Sequence, residues 1–200
     1  MRTGRRTRIS CTWIFAALIA GAVSLTGPAN AAARHYLLDG TNSQVAFATD
    51  FGDSQITGKI PVSAASLQLD FGDVSNSAVT VTLDVRNAVA SFPFAAQAMK
   101  GPKVFDARHF PTADFRSTAV RRSGEGAVVD GVLTLRGVTR EVSLQAGLWR
   151  VADSDPSDLD HLIIRLTGAI RRSAFGTDGW PNAVGDEVRL DIIAQVARAE

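Results

Sequence analysis

The sequence predicts an all-β chain built as one antiparallel sheet, and three observations carry that reading. Apolar and polar residues alternate with a period of two in run after run. Most links between the runs are short and rich in Gly, Asn, Asp and Ser. A single excursion, residues 88–112, departs from the alternation and is strongly apolar. Alternation means half-buried strands, because successive side chains of an extended chain point to opposite faces. Short turn-type links make consecutive strands antiparallel neighbours. A sheet with one apolar face must pack on another sheet or close on itself. A filled sandwich and a hollow barrel share the same alternation. The excursion favours the barrel, because a barrel mouth needs a cap.

The chain starts with a segment of a different kind. Arg2, Arg5, Arg6 and Arg8 precede an uncharged apolar run, residues 11–25, followed by Gly27-Pro28 and the small-x-small triplet Ala29-Asn30-Ala31. This is the layout of a cleaved secretory signal, and the apolar run is short for a bilayer span. The expected cut follows Ala31, with Ala33 as the alternative, leaving residues 32–200 as one domain. Arg5-Arg6 leaves general and twin-arginine export both open. Removing residues 1–31 takes away four Arg and no acid, so 21 basic residues fall to 17 against 20 acids and the mature chain is near −3. A nucleic-acid partner would want a basic stripe, and none is present. Cys11, the lone cysteine of the sequence, leaves with the signal, so the mature chain offers no disulfide, thiol nucleophile or thiolate ligand.

The strands follow in order. Residues 35–40 form a short first strand with Tyr36 and Leu38 on one side. Residues 44–51 alternate, with Val45, Phe47 and Phe51 opposite Gln44 and Asp50. Residues 55–61 and 66–71 are two shorter runs, and Pro61-Val62-Ser63 between them signals a bulge or bend. Gly72-Asp73 and Ser75-Asn76-Ser77 are turn chemistry. Val79, Val81, Leu83 and Val85 then alternate strictly with Thr80, Thr82, Asp84 and Arg86. Inside the excursion, residues 95–99 are the one cluster of good helix formers, ended by Gly101-Pro102, and a second short turn covers residues 104–108. Residues 112–120 resume the alternation, and residues 123–126 turn back. The best-marked hairpin comes next: Gly131, Leu133 and Leu135 share one face, Val142, Leu144, Ala146 and Leu148 the other strand's matching face, across the link from Arg136 to Arg140. After an acidic loop at residues 153–158, Leu162, Ile164, Leu166 and Ile170 face one way. Residues 173–186 form a Gly/Pro/Asn loop, and Val188, Leu190, Ile192, Ala194 and Val196 close the sheet.

Catalytic signatures are weak. His35, His109 and His161 are the histidines, none at H-x-H or H-E-x-x-H spacing. No G-x-S-x-G elbow or Gly-rich phosphate loop occurs. The carboxylates of residues 153–160 lack the apolar surroundings that would raise one pKa, and His161 beside Asp158 and Asp160 reads as part of a solvated loop. No metal, cofactor or catalytic residue is expected.

Gly131-x-Leu133-Thr134-x-Arg136-Gly137-Val138-Thr139 resembles the G-x-L-T-x-x-G-V-T signature of the YceI-like family. Phe105-Asp106, Phe110-Pro111, Phe115 and Ser117 resemble its F-D-x-x-x-[YF]-P-x-x-x-F-x-S run. Ile170-x-Arg172-Ser173-x-Phe175-Gly176 and Val184-Gly185-Asp186-Glu187-Val188 are similar to its closing pair, and Tyr36, Asp39, Ser43, Val45 and Phe47 to its opening. The matches stand in family order over residues 35–196. Two departures occur: Asn42 stands where the family usually has His, and the run from Phe92 to Gln97 replaces a charged stretch, with Val104 in place of an aromatic. The resemblance implies a lipocalin-like, extended antiparallel β-barrel with one or two short helices capping one end. It further implies export to the periplasm and a long isoprenoid lipid, a quinone or prenyl lipid, held in the barrel.

The inward parity alone suits a packed core. Taken with the resemblance it marks a lining, for which the candidates are Phe47, Val81, Leu83, Phe115, Leu133, Leu144, Leu166 and Leu190, with the cap residues Phe94 and Phe105. Arg136, Thr139, Arg140, Arg172 and Ser173 read as loop-ordering hydrogen-bonders, and Asp39 and Asp186 as turn and capping acceptors. The expected partner is an isoprenoid or other long-chain apolar lipid, without nucleic acid and with transient membrane contact open. Two other readings stand beside this one: a secreted adaptor with a filled β-sandwich that binds another protein, and a hydrolase or isomerase using His109 or His161 at a cavity mouth.

Overall fold

The computed structural model describes residues 33–150, 155 and 158–200. The expected signal and most of the 153–158 loop lie outside the described residues. The strands are β1 Arg34–Leu38, β2 Gln44–Phe51, β3 Ser54–Ile60, β4 Val62–Leu69, β5 Ala78–Asp84, β6 Val89–Ala90, β7 Thr112–Ser123, β8 Gly126–Leu135, β9 Val138–Arg150, β10 His161–Arg171 and β11 Val184–Arg198, with helix α1 at Pro93–Lys100.

Pairing runs β1-β4-β5-β7-β8-β9-β10-β11, and β11 returns to β1, so the antiparallel sheet closes as an eight-stranded barrel. The remaining strands continue staves of the same wall. β2 extends β1 along one edge of β11, β3 pairs β2 and runs into β4, and β6 extends β5 to pair β3. Closure removes the exposed edges that would otherwise template association.

Each broken stave has a local cause. Between β1 and β2, residues 39–43 bulge outward while β11 passes from Ile193, opposite Gln44, to Val196, opposite Leu38. The Asp39 carboxylate folds this loop, accepting from the Thr41 and Asn42 N–H groups at 2.9 and 3.2 Å and from Asn42 Nδ2 at 2.7 Å. Ser43 Oγ accepts from the Gln195 N–H at 3.0 Å, standing in for a missing ladder carbonyl. Between β3 and β4, Pro61 has no N–H to give, and the β4–β5 register shifts between Val62 and Ala64. Between β5 and β6, residues 85–87 make a 3₁₀ turn whose first N–H groups are capped by Asp84, which accepts from Arg86 N–H at 3.0 Å.

Several sequence boundaries change. The first strand ends at Leu38 rather than Gly40, because Asp39 begins the bulge. β4 starts at Val62, so the bend is a single proline wide. Val85 leaves the strand and is fully buried at the start of the 3₁₀ turn. β11 begins at Val184, inside the stretch read as loop. Residues 104–108 form turns, as the sequence reading has them, with Asp106 at φ 49 accepting at its carbonyl from the His109 and Phe110 N–H groups. The filled β-sandwich is corrected outright, since the sheet closes on itself around open space.

Antiparallel connectivity gathers the loops at two ends. The mouth end carries the β2–β3 turn, the cap (residues 85–111), the β8–β9 turn and the β10–β11 link. The far end carries the β4–β5, β7–β8 and β9–β10 links. At the far end Tyr36, Leu67, Leu69, Leu162 and Val196 form a compact cluster. The Tyr36 ring meets Phe71 edge-on at 5.8 Å, and its hydroxyl donates to the Leu159 carbonyl at 2.9 Å.

Candidate functional site

Inside the wall lies a cavity of about 1350 Å³, bordered from Leu69, Phe71 and Leu148 near the far end to Phe92, Val104 and Trp180 at the mouth. An eight-stranded barrel is just wide enough for side chains to fill it or for one ligand to enter. Here the wall residues hold back from the axis. Phe47 lies over Gly58, its cross-strand partner, where an added Cβ would come 2.3 Å from the ring. Phe115 lies over Gly131, diagonal to it across the β7–β8 pair, at 2.5 Å.

Every lining candidate borders this cavity. Strand pairing brings them into rows: Phe47 opposite Leu190, Val81 opposite Phe115, and Phe115 opposite Leu133. Leu83 and Leu144 are buried. Phe105 sits in the cap, packed on the core beneath it. Phe94 differs in being 80% exposed, at the lip of the mouth on α1. Helix α1 begins at Pro93, whose missing N–H costs nothing in a first turn. It buries Met99 beneath itself while Ala95 and Ala98 border the cavity.

Four buried polar residues also border the cavity: Thr49, Asp70 and Thr177, which the sequence reading did not place there, and Arg172, which it read as a loop-ordering hydrogen-bonder. Parity held the signal for two. Thr49 continues the face of Val45 and Phe47, and Arg172 continues that of Leu166 and Ile170. Arg172 is 8% exposed and donates to the carbonyls of Gly185 (Nε, 2.8 Å), Thr177 and Gly179 (Nη1, 2.6 and 2.9 Å) and Val184 (Nη2, 2.8 Å). Thr49 Oγ1 lies 3.1 and 2.9 Å from the Gly185 and Glu187 carbonyls, covering the bulge where the β11–β2 register shifts. Asp186 completes the joint, accepting from Ser173 N–H and Oγ, both at 2.9 Å. Those bonds, the N–H first, hold its carboxyl below the ordinary range. The two closing motifs are thus one interlocked unit at the mouth.

Arg136 serves the same end. The β8–β9 turn is Arg136-Gly137, with φ 52 and 74, the left-handed pair that matches the twist of a two-residue hairpin. The Arg136 side chain donates to the Pro102 carbonyl at 2.8 Å and to the Gly176 carbonyl, tying cap and β10–β11 link to the wall. Arg140 donates to the neighbouring Thr139 carbonyl at 2.9 Å. Of the histidines, His109 bonds the Asp106 carboxylate at 2.9 Å on an exposed surface, and His161 is exposed on β10. Neither borders the cavity. Among the described residues, no three His, Cys, Asp or Glu side chains converge as a metal site.

These features define a class: a closed antiparallel barrel with an apolar lumen and a capped mouth. The chain belongs to the YceI-like family, whose domain model matches residues 36–196. Among its relatives, a UPF0312 protein of Photorhabdus laumondii is 31% identical over 66% of this chain and 69% of its own length. One from Serratia proteamaculans is 27% identical over 92% and 96%. Of solved structures, BcnA of Burkholderia cenocepacia superposes with TM-score 0.72 at 22% identity, covering 80% of this chain and 99% of that one. A polyisoprenoid binding domain from Saccharophagus degradans superposes with TM-score 0.62 at 14% identity, covering 83% and 99%.

Proposed function

We propose that this is a periplasmic or secreted, non-enzymatic binding protein that sequesters or carries a long-chain isoprenoid lipid, a quinone or prenyl lipid, in the barrel. The observation that carries the reading is the apolar cavity of about 1350 Å³ running the length of the lumen. It exceeds the roughly 300–1000 Å³ of ordinary small-molecule pockets, and its long shape suits a chain rather than a compact ligand. Burial contributes about 0.8 kcal/mol per methylene, so a five-carbon isoprene unit supplies on the order of 4 kcal/mol before ordering costs. A few units therefore offset the roughly 4–15 kcal/mol of association entropy without a polar contact. The polyisoprenoid binding neighbour supports this ligand class, and the expected signal supports export. Charge pairs on the outer wall, Arg165–Asp191 and Arg189–Asp50 among them, give the barrel a polarity opposite to that of a membrane-spanning one. The exposed positions of His109 and His161, away from the lumen, favour binding over turnover.

The test is organic extraction of protein purified from its native host, followed by mass spectrometry. A prenyl lipid or quinone recovered in near-stoichiometric amount is the expected result. Consistently empty protein that also fails to take up a polyprenyl probe would sink the reading.

A further inference from the structure

We propose that the mouth end docks on the surface of an anionic lipid bilayer, with the exposed aromatic rim entering the interface so that lipid passes between membrane and lumen. The proposal rests on the lipid-carrier reading and adds a partner and a face to it. Phe51, Phe92, Phe94 and Trp180 are 42%, 48%, 80% and 43% exposed, and each also borders the cavity. They belong to three separate chain segments that backbone bonds join around the opening. The Ser91 N–H donates to the Thr57 carbonyl at 2.7 Å, linking the base of the cap to β3. Gly179 N–H donates to the Lys103 carbonyl at 3.1 Å, linking cap to the β10–β11 link, and Gly52 N–H to the Ala183 carbonyl at 3.3 Å, linking that segment to the β2–β3 turn. These four side chains therefore form one exposed apolar rim continuous with the lumen, whereas Leu37 and Trp149 are exposed on the wall away from it.

Aromatic side chains at such a lip suit the bilayer interface, where one part of the group meets hydrocarbon and another meets headgroups. On the cap segment, charge points the same way, although Asp53 and Asp178 stand on the other two rim segments. Residues 93–110 carry Lys100, Lys103 and Arg108 against one acid, Asp106, which His109 already holds, although the mature chain is acidic overall. The Lys103 ammonium stands 5.7 Å over the Trp180 ring, so cation and aromatic are presented together. Cations beside an apolar rim are the complement of anionic headgroups over acyl chains.

The two tryptophans of the described chain make the test directional. Trp180 is on the rim, while Trp149 is exposed on the outer wall near the far end. Purified protein is mixed with vesicles of phosphatidylcholine alone or with phosphatidylglycerol, and emission is quenched by brominated acyl chains. Quenching of Trp180 in the Trp149→Phe variant, with none of Trp149 in Trp180→Phe, is expected on the anionic vesicles. Charge reversal by Lys100→Glu with Lys103→Glu, neither of which lines the cavity, should lower vesicle binding at least about tenfold. The same double variant should take up a short polyprenyl probe in vesicle-free buffer as the parent does. Quenching of Trp149 instead, no vesicle binding at all, or a Phe94-dependent dimer that ignores vesicles would each overturn the docking. Probe uptake without vesicle binding overturns the docking and leaves the carrier reading standing. Vesicle binding without uptake does the reverse.

Discussion

Phe47 and Phe115 are large enough to cross much of an eight-stranded lumen, but the glycines beneath them let both rings lie along the wall. A methyl on Gly131 would meet the Phe115 ring at 2.5 Å and the Arg116 carbonyl at 2.6 Å, and one on Gly58 would meet the Val89 carbonyl at 2.4 Å. The ring can rotate away, into the lumen, but the carbonyl belongs to the neighbouring strand and cannot move without disturbing the pairing. Gly131→Ala should therefore cost about 1–3 kcal/mol, the usual scale of overpacking, read as a lower urea midpoint with an unchanged slope. It should also weaken uptake of a prenyl probe, because the displaced ring takes lumen space. An equally stable variant would show that the close approach is not the constraint.

At the scale of elements, the polar motif residues act as joints between the mouth segments. Arg172 gathers carbonyls from the β10–β11 link and from the β11 bulge, and it is buried where water cannot replace it. Lysine keeps the charge but lacks the planar fork that reaches them together. Arg172→Lys should lower stability by more than about 3 kcal/mol, since several buried acceptors lose their donors at once, with the loss read by thermal unfolding. Asp70, buried at the β4–β5 link, accepts from Asp73 N–H and Gly72 N–H at 2.9 Å and from Asn76 Nδ2 at 3.2 Å. The Asp73 N–H foremost, then Asn76, hold its carboxyl below the ordinary range. A folded-state pKa below the unfolded value of about 3.9 adds stability that is present above that value and is lost as pH falls through the folded one. The thermal midpoint should thus hold from neutrality to about pH 5 and fall below about pH 4, more shallowly in Asp70→Asn. Much of this level was legible, because the period of two marks each strand and Asp39, Asp186 and Arg136 stand in recognisable turn chemistry. The continuation of β1 by β2 was not, since it depends on where residues 39–43 leave the edge of β11. Nor was the role of Arg172 visible in full: parity turns it inward, but the carbonyls that receive it come from a link with no periodic signal.

For the whole molecule, the decisive property is that the closed sheet remains hollow, and alternation cannot report it, because a filled core and an empty lumen need the same inward apolar face. The difference lies in volume, set jointly by side-chain size, glycine placement and a cap that covers the mouth without plugging it. That dependence makes the lumen testable by filling it. Leu133 and Leu190 border the cavity on strands well separated around the wall, so an indole at either position has open space to enter. Leu133→Trp and Leu190→Trp should each leave the unfolding free energy within about 1 kcal/mol of the parent, since both leucines pack on the core at their base but the added ring atoms have the lumen to extend into. Both together should abolish probe uptake. In the parent, free ligand at a hundred times Kd adds about 2.7 kcal/mol of stability, and the double variant should show no such rise. If the double variant binds and is stabilised as the parent is, the ligand lies outside the barrel and the cavity is not its site.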